Sequence, residues 1–78
     1  MAHQKGFHSK ALKREAFAKR IEDKRILLKL SSSELAVKAG ISRNTMQHYE
    51  EATAFPGDDN MIKLADALET TPHHLRGE

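Results

Sequence analysis

Apolar residues recur along this chain at intervals of three and four positions, the spacing that places them on one face of an α-helix. Near the carboxyl-terminal end, the regular series is Met61, Leu64, Ala65 and Leu68. In the first third, an apolar stripe runs between charged positions that are expected to stay in water. Its members are Leu12, Ala16, Phe17, Ile21 and Leu28. This pattern predicts an all-α protein.

The first helix is predicted over residues 10–29, because nothing in that stretch breaks a helix. Ser9 stands where an N-cap belongs. The residues before it show little pattern, so residues 1–8 are predicted to be a flexible basic tail. The remainder, residues 9–78, is expected to form one domain.

Turn and capping signals divide the carboxyl-terminal third into two more helices. Pro56-Gly57 is a strong turn signal, and Asp58 or Asp59 is positioned to cap the helix that follows. Thr71 is positioned to cap a last short helix with Pro72 in its first position.

The stretch 31–50 has the signals of two short helices joined by a tight turn. Ser31, with Glu34 three residues later, forms the signature of a capping box at the start of the first. Gly40 follows its last apolar residue, where a left-handed conformation ends a helix and turns the chain sharply. Ser42 is positioned to cap the second helix of the pair.

The second helix of this pair has two contrasting faces. At about 100° per residue, Met46 and Tyr49 lie on the side that requires a core. The opposite side carries Arg43, Asn44, Gln47 and His48. Arginine suits the O6 and N7 atoms of guanine, and asparagine or glutamine suits the N6 and N7 atoms of adenine. A row of polar side chains on a helix is usually just a solvent-exposed face. Here the N-cap and the preceding turn favour the alternative, that this face contacts DNA bases.

These residues resemble the helix-turn-helix of the lambda-repressor/Cro (XRE) family. The resemblance rests on the order and spacing of Leu35-Ala36, Gly40-Ile41-Ser42 and Tyr49-Glu50 and extends over residues 17–75. It implies a compact five-helix, lambda-repressor-like bundle. Glu69 departs from the family pattern, which commonly has glycine there, so the fourth helix is expected to end differently.

The resemblance also implies roles for individual residues. Contacts with DNA bases are expected from Arg43, Asn44, Gln47 and His48. Contacts with DNA phosphates are expected from Ser32, Lys38, Ser42 and Thr45. Arg25 and Glu50 occupy the positions of a structural ion pair between the first helix and the end of the recognition helix. The basic residues near the start of the chain are either an arm along the phosphates or part of a disordered tail.

Composition limits the possible functions. A chain of 78 residues without cysteine buries a small core and has neither disulfides nor thiolate metal ligands. No apolar run reaches membrane-spanning length and no signal-peptide pattern is present. A soluble cytoplasmic protein that does not enter a membrane is therefore expected.

Charge is distributed unevenly although the net charge is only +2. Residues 1–30 carry +6, residues 31–49 carry +1 and residues 50–78 carry −5. Such an asymmetry suggests an anionic partner for the amino-terminal side, of which nucleic acid is the commonest. A solvated basic helix is the alternative.

No enzyme, metal site or cofactor is predicted. The five histidines are scattered, and the adjacent pair His73 and His74 would point about 100° apart on a helix, which does not suit one metal ion. No metalloprotease motif, phosphate-binding loop or nucleophile–histidine arrangement is present.

The sequence thus favours a DNA-binding transcriptional regulator, of the small phage, plasmid or prophage repressor type, associated with the nucleoid. It is expected to bind a two-fold operator in double-stranded DNA as a homodimer. The dimer interface is expected on the last helix with Leu75 or on the amino-terminal extension. The alternative is a protein-binding adaptor, such as an antitoxin or anti-repressor module, which the acidic final third motivates.

Overall fold

A computed structural model describes the backbone of residues 2–77 and the side chains of residues 11–77. Over those residues the chain is helical without any strand, which confirms the predicted all-α class. The helices number five, as predicted. They are α1 (Ala2–Leu27), α2 (Ser32–Ala39), α3 (Arg43–Glu50), α4 (Asp58–Ala67) and α5 (Pro72–Arg76).

Helix α1 is much longer than the others. It begins at Ala2 rather than at the predicted Lys10, and no proline interrupts its 26 residues. At 1.5 Å per residue such a helix is about 39 Å long, close to the 41 Å long axis of the molecule, whose other axes are 23 and 22 Å. The side chains of residues 1–10 lie outside the described part, so the flexible basic tail over residues 1–8 stays a prediction.

All five helices contribute to one core. The largest fully buried side chains are Phe17, Ile21, Leu35, Met46, Met61, Leu64, Leu68 and Leu75. At its centre, the Phe17 ring meets Tyr49 and Phe55 edge-on, with ring centroids 5.9 and 5.2 Å apart. Such pairs add to the stabilisation that burial of their area provides. The core therefore fixes α3 and the loop after it against α1.

Two expectations about apolar residues were wrong. Leu12 is 60% exposed, because the buried face of α1 starts only at Phe17 in the described part of the helix. Leu75 is fully buried in its own subunit. It is therefore not available to a second subunit, and the last helix loses its apolar candidate for a dimer contact.

The helix starts follow the predicted capping signals with two exceptions. The prediction of Ser9 as the N-cap of the first helix was wrong, because α1 begins at Ala2 and Ser9 lies inside it. The Ser31–Glu34 capping box is complete, with both reciprocal hydrogen bonds formed. Thr71 caps α5 through a hydrogen bond from the His74 N–H. The second exception is α4, whose N-cap is Gly57 and which has no side-chain cap. The predicted caps Asp58 and Asp59 lie inside its first turn, where carboxylates interact favourably with the helix dipole.

A residue with positive φ follows the end of each helix. Two are glycines, at 40 and 77, but three are not: Lys29, Ala52 and Glu69 have φ of 59°, 62° and 58°. After the first four helices, the next N–H bonds to the carbonyl five residues earlier, over 2.9 to 3.0 Å. This is the Schellman motif, in which glycine is the residue of lowest strain. The expectation that the fourth helix ends differently was therefore wrong, because α4 ends with the backbone geometry that suits glycine although glutamate occupies that position.

Candidate nucleic-acid interface

Helices α2 and α3 form a pair around a short turn. Gly40 takes up the left-handed conformation, with φ of 70°, and its successor Ile41 is only 8% exposed. Ser42 then caps α3 by accepting a hydrogen bond from the Thr45 N–H at 3.1 Å. The glycine permits the reversal and the buried isoleucine fixes it, so that α3 leaves the turn in one direction.

Helix α3 is buried on one face only. Met46 is 1% exposed and Tyr49 is 4% exposed, and the Tyr49 hydroxyl accepts a hydrogen bond from Asn60 Nδ2 at 2.9 Å. This contact joins α3 to α4. The orientation of α3 is thus set from behind by packing and by one polar contact.

The opposite face of α3 is exposed to solvent. It carries the four residues for which base contacts were predicted, all of them exposed: Arg43, Asn44, Gln47 and His48. Within the described part of the chain, the side chains of Arg43 and Asn44 hold no hydrogen bond or ion pair. They lie in the first turn of α3, so two side chains with suitable donors and acceptors stand ready for a ligand.

The other two residues of this face already have partners. Gln47 Nε2 donates to Glu51 Oε2 at 3.0 Å. His48 Nδ1 lies 3.0 Å from the Thr53 hydroxyl oxygen, and that hydroxyl also donates to the His48 carbonyl at 3.1 Å. Both contacts are with the segment that follows α3. A ligand would therefore have to share or displace them.

The residues predicted to contact phosphates are also engaged in the free protein. The Ser32 hydroxyl donates to Glu50 Oε2 at 2.7 Å, which uses its only hydrogen. The Ser42 hydroxyl donates to Thr45 Oγ1 at 2.8 Å. Lys38 Nζ lies 3.8 Å from a carboxylate oxygen of Glu69, so part of its charge is compensated.

Arg25 and Glu50 join α1 to the end of α3. Arg25 Nε lies 3.4 Å from Glu50 Oε2, and the two side chains are 20% and 23% exposed. Nε is buried without a hydrogen bond, so the contact is one of charge rather than an aligned hydrogen bond. The guanidinium is positioned instead by Nη1, which donates to the Leu30 carbonyl at 2.9 Å.

Several contacts around this face were not predicted from the sequence. Arg14 Nε donates to the Ala52 carbonyl at 3.1 Å, and Lys13 Nζ lies 4.7 Å from the centre of the Phe55 ring. On the same helix, a hydrogen bond to Asp23 raises the pKa of the exposed Lys19. The Gln47–Glu51 contact has a sequence signal, the i,i+4 spacing on one helix. The Arg14–Ala52 contact spans 38 residues and has none.

Two open clefts border this face. One of about 200 Å³ lies between the start of α2 and α3, next to Ser32, Arg43 and Gln47, and one of about 490 Å³ lies between α1 and the end of α3, next to Arg25 and Glu50. Among the residues that the structure describes, no group of three metal-ligating side chains comes together. Within that same part of the chain, none of the helices combines the length and apolarity needed to cross a membrane.

Helices α2 and α3 are joined by a turn at Gly40, and α3 buries one face in the core and exposes a polar face to solvent. This arrangement defines a helix-turn-helix DNA-binding domain. A helix-turn-helix family model matches residues 21–75, well over half of the chain. The chain belongs to the helix-turn-helix family of the lambda-repressor/Cro (XRE) type, whose domains serve in DNA-binding transcription regulation rather than catalysis. No curated protein and no solved structure gives a significant match.

Proposed function

We propose that this protein is a sequence-specific repressor of the small phage, plasmid or prophage type. It binds a two-fold operator as a homodimer and inserts α3 into the major groove. The observation that carries this proposal is the state of Arg43 and Asn44. Both are exposed in the first turn of a helix that is fixed from behind, and neither is held by another described residue.

Each residue of the exposed face has a chemical role in this proposal. Arg43 donates two hydrogen bonds to a guanine edge, and Asn44 pairs with an adenine edge as donor and acceptor. Gln47 and His48 read the neighbouring base pairs after exchanging their present partners Glu51 and Thr53. Bidentate contacts of this kind discriminate against the wrong base by about 1–3 kcal/mol.

Phosphate contacts fix the position of α3 in the groove. Ser42 and Thr45 lie at its start, and Ser32 lies at the start of α2. The N–H groups there provide further donors together with the positive end of the helix dipole. Lys38 contributes charge once Glu69 releases it. These contacts add affinity without reading sequence.

Selection of bound sites from random duplexes tests the proposal. At about 50 mM salt, where phosphate contacts are strongest, the protein should enrich one motif. Asn44→Ala should relax the preference at a single position of each half-site. Lys63→Ala, at an exposed position of α4, is the control and should leave the motif unchanged. Enrichment of no motif would refute sequence-specific binding, and a uniform loss with Asn44→Ala would assign Asn44 to the phosphates.

The homodimer is tested by the same selection. One domain reads few base pairs, so discrimination requires two domains whose recognition helices are about 34 Å apart, one turn of DNA. The motif should then be an inverted repeat with half-site centres about 10 base pairs apart. Sedimentation on the selected duplex should give two protein chains per site. Such a regulator would act in the cytoplasm, on nucleoid DNA.

A protein-binding adaptor is the second candidate. The observation that favours it is the set of exposed carboxylates on α4 and just after it, at Asp58, Asp59, Asp66 and Glu69. Of these, Asp58 and Glu69 face Arg76 and Lys38. Co-purification of a basic protein, with negligible DNA affinity in its absence, would support the adaptor over the repressor. Tight binding of the purified protein to one selected duplex would decide for the repressor.

A further inference from the structure

The loop after α3, the proposed recognition helix, contains no basic residue. Residues 51–57 contain no lysine or arginine, and Glu50 and Glu51 stand together at the end of α3. Glu50 is accompanied by Arg25, but Glu51 is exposed and contacts only the neutral Gln47 among the described residues. The loop is therefore negatively charged, although it adjoins the exposed face of α3 that is proposed to contact DNA.

Helix α1 brings two cations to this loop. Arg14 Nε donates to the Ala52 carbonyl at 3.1 Å, a contact that also occupies the carbonyl of a residue with positive φ. Lys13 Nζ lies above the ring of Phe55, 4.7 Å from its centre, a distance at which a cation is attracted to the ring face. Two neighbouring residues of α1 thus contact the loop, Arg14 at Ala52 and Lys13 at Phe55.

The loop is in turn connected to the exposed face of α3. Thr53 is bonded to both the ring and the carbonyl of His48, and it directly follows the residue that Arg14 holds. A short series of contacts therefore leads from His48 through Thr53 to Arg14. The contacts of Arg14 and Lys13 with the loop thus link α1 to the exposed face of α3 through Thr53.

We infer that Lys13 and Arg14 contact the DNA backbone and supply the positive charge that the loop lacks. Arg14 uses one N–H on Ala52 within the described residues, and a guanidinium has five. Lys13 is exposed and its ammonium has three donors. This inference rests on the proposed DNA binding, and it extends the interface from the helix-turn-helix onto α1.

The salt dependence of binding tests this assignment. Each phosphate contact contributes about 0.9 to the slope of log K against log salt. Lys13→Gln and Arg14→Gln should therefore each lower the slope by about 0.9 and leave the selected motif unchanged. Between 50 and 200 mM salt, this means that each variant loses about threefold less affinity than the natural protein. Arg14→Lys keeps the charge and should restore most of the slope.

Lys63→Gln is the matched control, because it removes the same charge from an exposed position on α4; its slope should equal that of the natural protein. Thermal melts show whether the variants fold. Lys13→Gln removes only a surface ring contact, so it keeps the test valid if Arg14→Gln unfolds.

Unchanged slopes with an intact motif would overturn the role of α1 alone. Lower slopes in a protein without base preference would support that role while refuting the sequence-specific repressor. Absence of binding to any duplex would refute both proposals.

Discussion

Three helices meet at the carboxylate of Glu50. The Ser32 hydroxyl of α2 donates to it at 2.7 Å, and the Arg25 guanidinium of α1 lies 3.4 Å away. Because Glu50 belongs to the end of α3, this side chain connects that helix to both α1 and α2, in addition to the packing of Met46 and Tyr49. Its contribution is to alignment more than to net stability, since desolvation offsets much of the charge attraction.

Removal of this carboxylate should destabilise the fold. Glu50→Ala is expected to cost about 3 kcal/mol, because it leaves a mostly buried arginine without its counter-charge. Glu50→Gln should cost less, since the amide oxygen still accepts the Ser32 hydrogen bond. Urea unfolding of the two variants measures the difference. Equal losses in the two variants would mean that the hydrogen bond from Ser32 adds nothing to the effect of the charge, and no loss with Glu50→Gln would mean that the charge itself contributes nothing.

Glu51 opposes the proposed ligand. It lies next to the reading face and holds Gln47 at 3.0 Å. Glu51→Gln removes a negative charge close to DNA and should raise affinity by about two- to fivefold. Asp66→Asn removes the same charge from the exposed side of α4 and serves as the control. Fluorescence anisotropy on the selected duplex measures both, and an equal gain would indicate only the general field of the protein.

At the scale of helices, backbone strain is found at the helix ends. Lys29, Ala52 and Glu69 occupy left-handed positions in which the side chain crowds the backbone. The three helices that these residues end nevertheless keep the Schellman hydrogen bond. The turn of the helix-turn-helix, by contrast, has glycine at this position and lacks such strain.

Glycine at a strained helix end should stabilise the protein. Glu69→Gly is expected to add about 1 kcal/mol, reduced somewhat by the greater freedom of glycine in the unfolded chain. Gly40→Ala should have the opposite sign and similar size, since nothing lies within 4 Å of the added Cβ and only the backbone conformation resists it. Chemical denaturation measures both, and a stabilising Gly40→Ala would contradict the argument.

The sequence predicted those helix ends whose signals are local. The Ser31 capping box and the Gly40 turn depend on residues within one helical turn of each other, so spacing alone identifies them. The left-handed Lys29 and Ala52 carry no such signal, because these residue types disfavour the conformation that tertiary packing imposes. Contacts between distant segments, such as that of Arg14 with Ala52, escaped prediction for the same reason.

The candidate site was predictable to a similar degree. Helical periodicity placed Met46 and Tyr49 inside and the polar row outside, as the structure has them. Periodicity does not specify which polar side chains are engaged by neighbours. The partners of Ser32 and Lys38, on α3 and at the end of α4, depend on how helices pack and could not be read from the sequence.

At the scale of the whole molecule, the core and the long axis are separate features. Every core residue in the described part lies at or after Phe17, whereas α1 extends back to Ala2. Leu12→Ala, at an exposed position before that core, should therefore change the free energy of unfolding by less than about 0.5 kcal/mol. Thermal melting checks this, with Phe17→Ala, which should cost about 3–5 kcal/mol, as the destabilised reference. A loss of more than about 2 kcal/mol from Leu12→Ala would show that the core extends further towards the start of α1.

Among the described residues, Arg43 and Asn44 have no side-chain partner to give up for the proposed contact with a base edge, whereas Gln47 and His48 must first give up Glu51 and Thr53. The sequence preference should therefore differ between the positions of each operator half-site. Base pairs met by the first turn of α3 should tolerate almost no variation, while those further along the groove should admit substitutes. Related operators would then differ mainly at the base pairs contacted by Gln47 and His48. Such a regulator could acquire new target sites while the contacts of Arg43 and Asn44 stay the same.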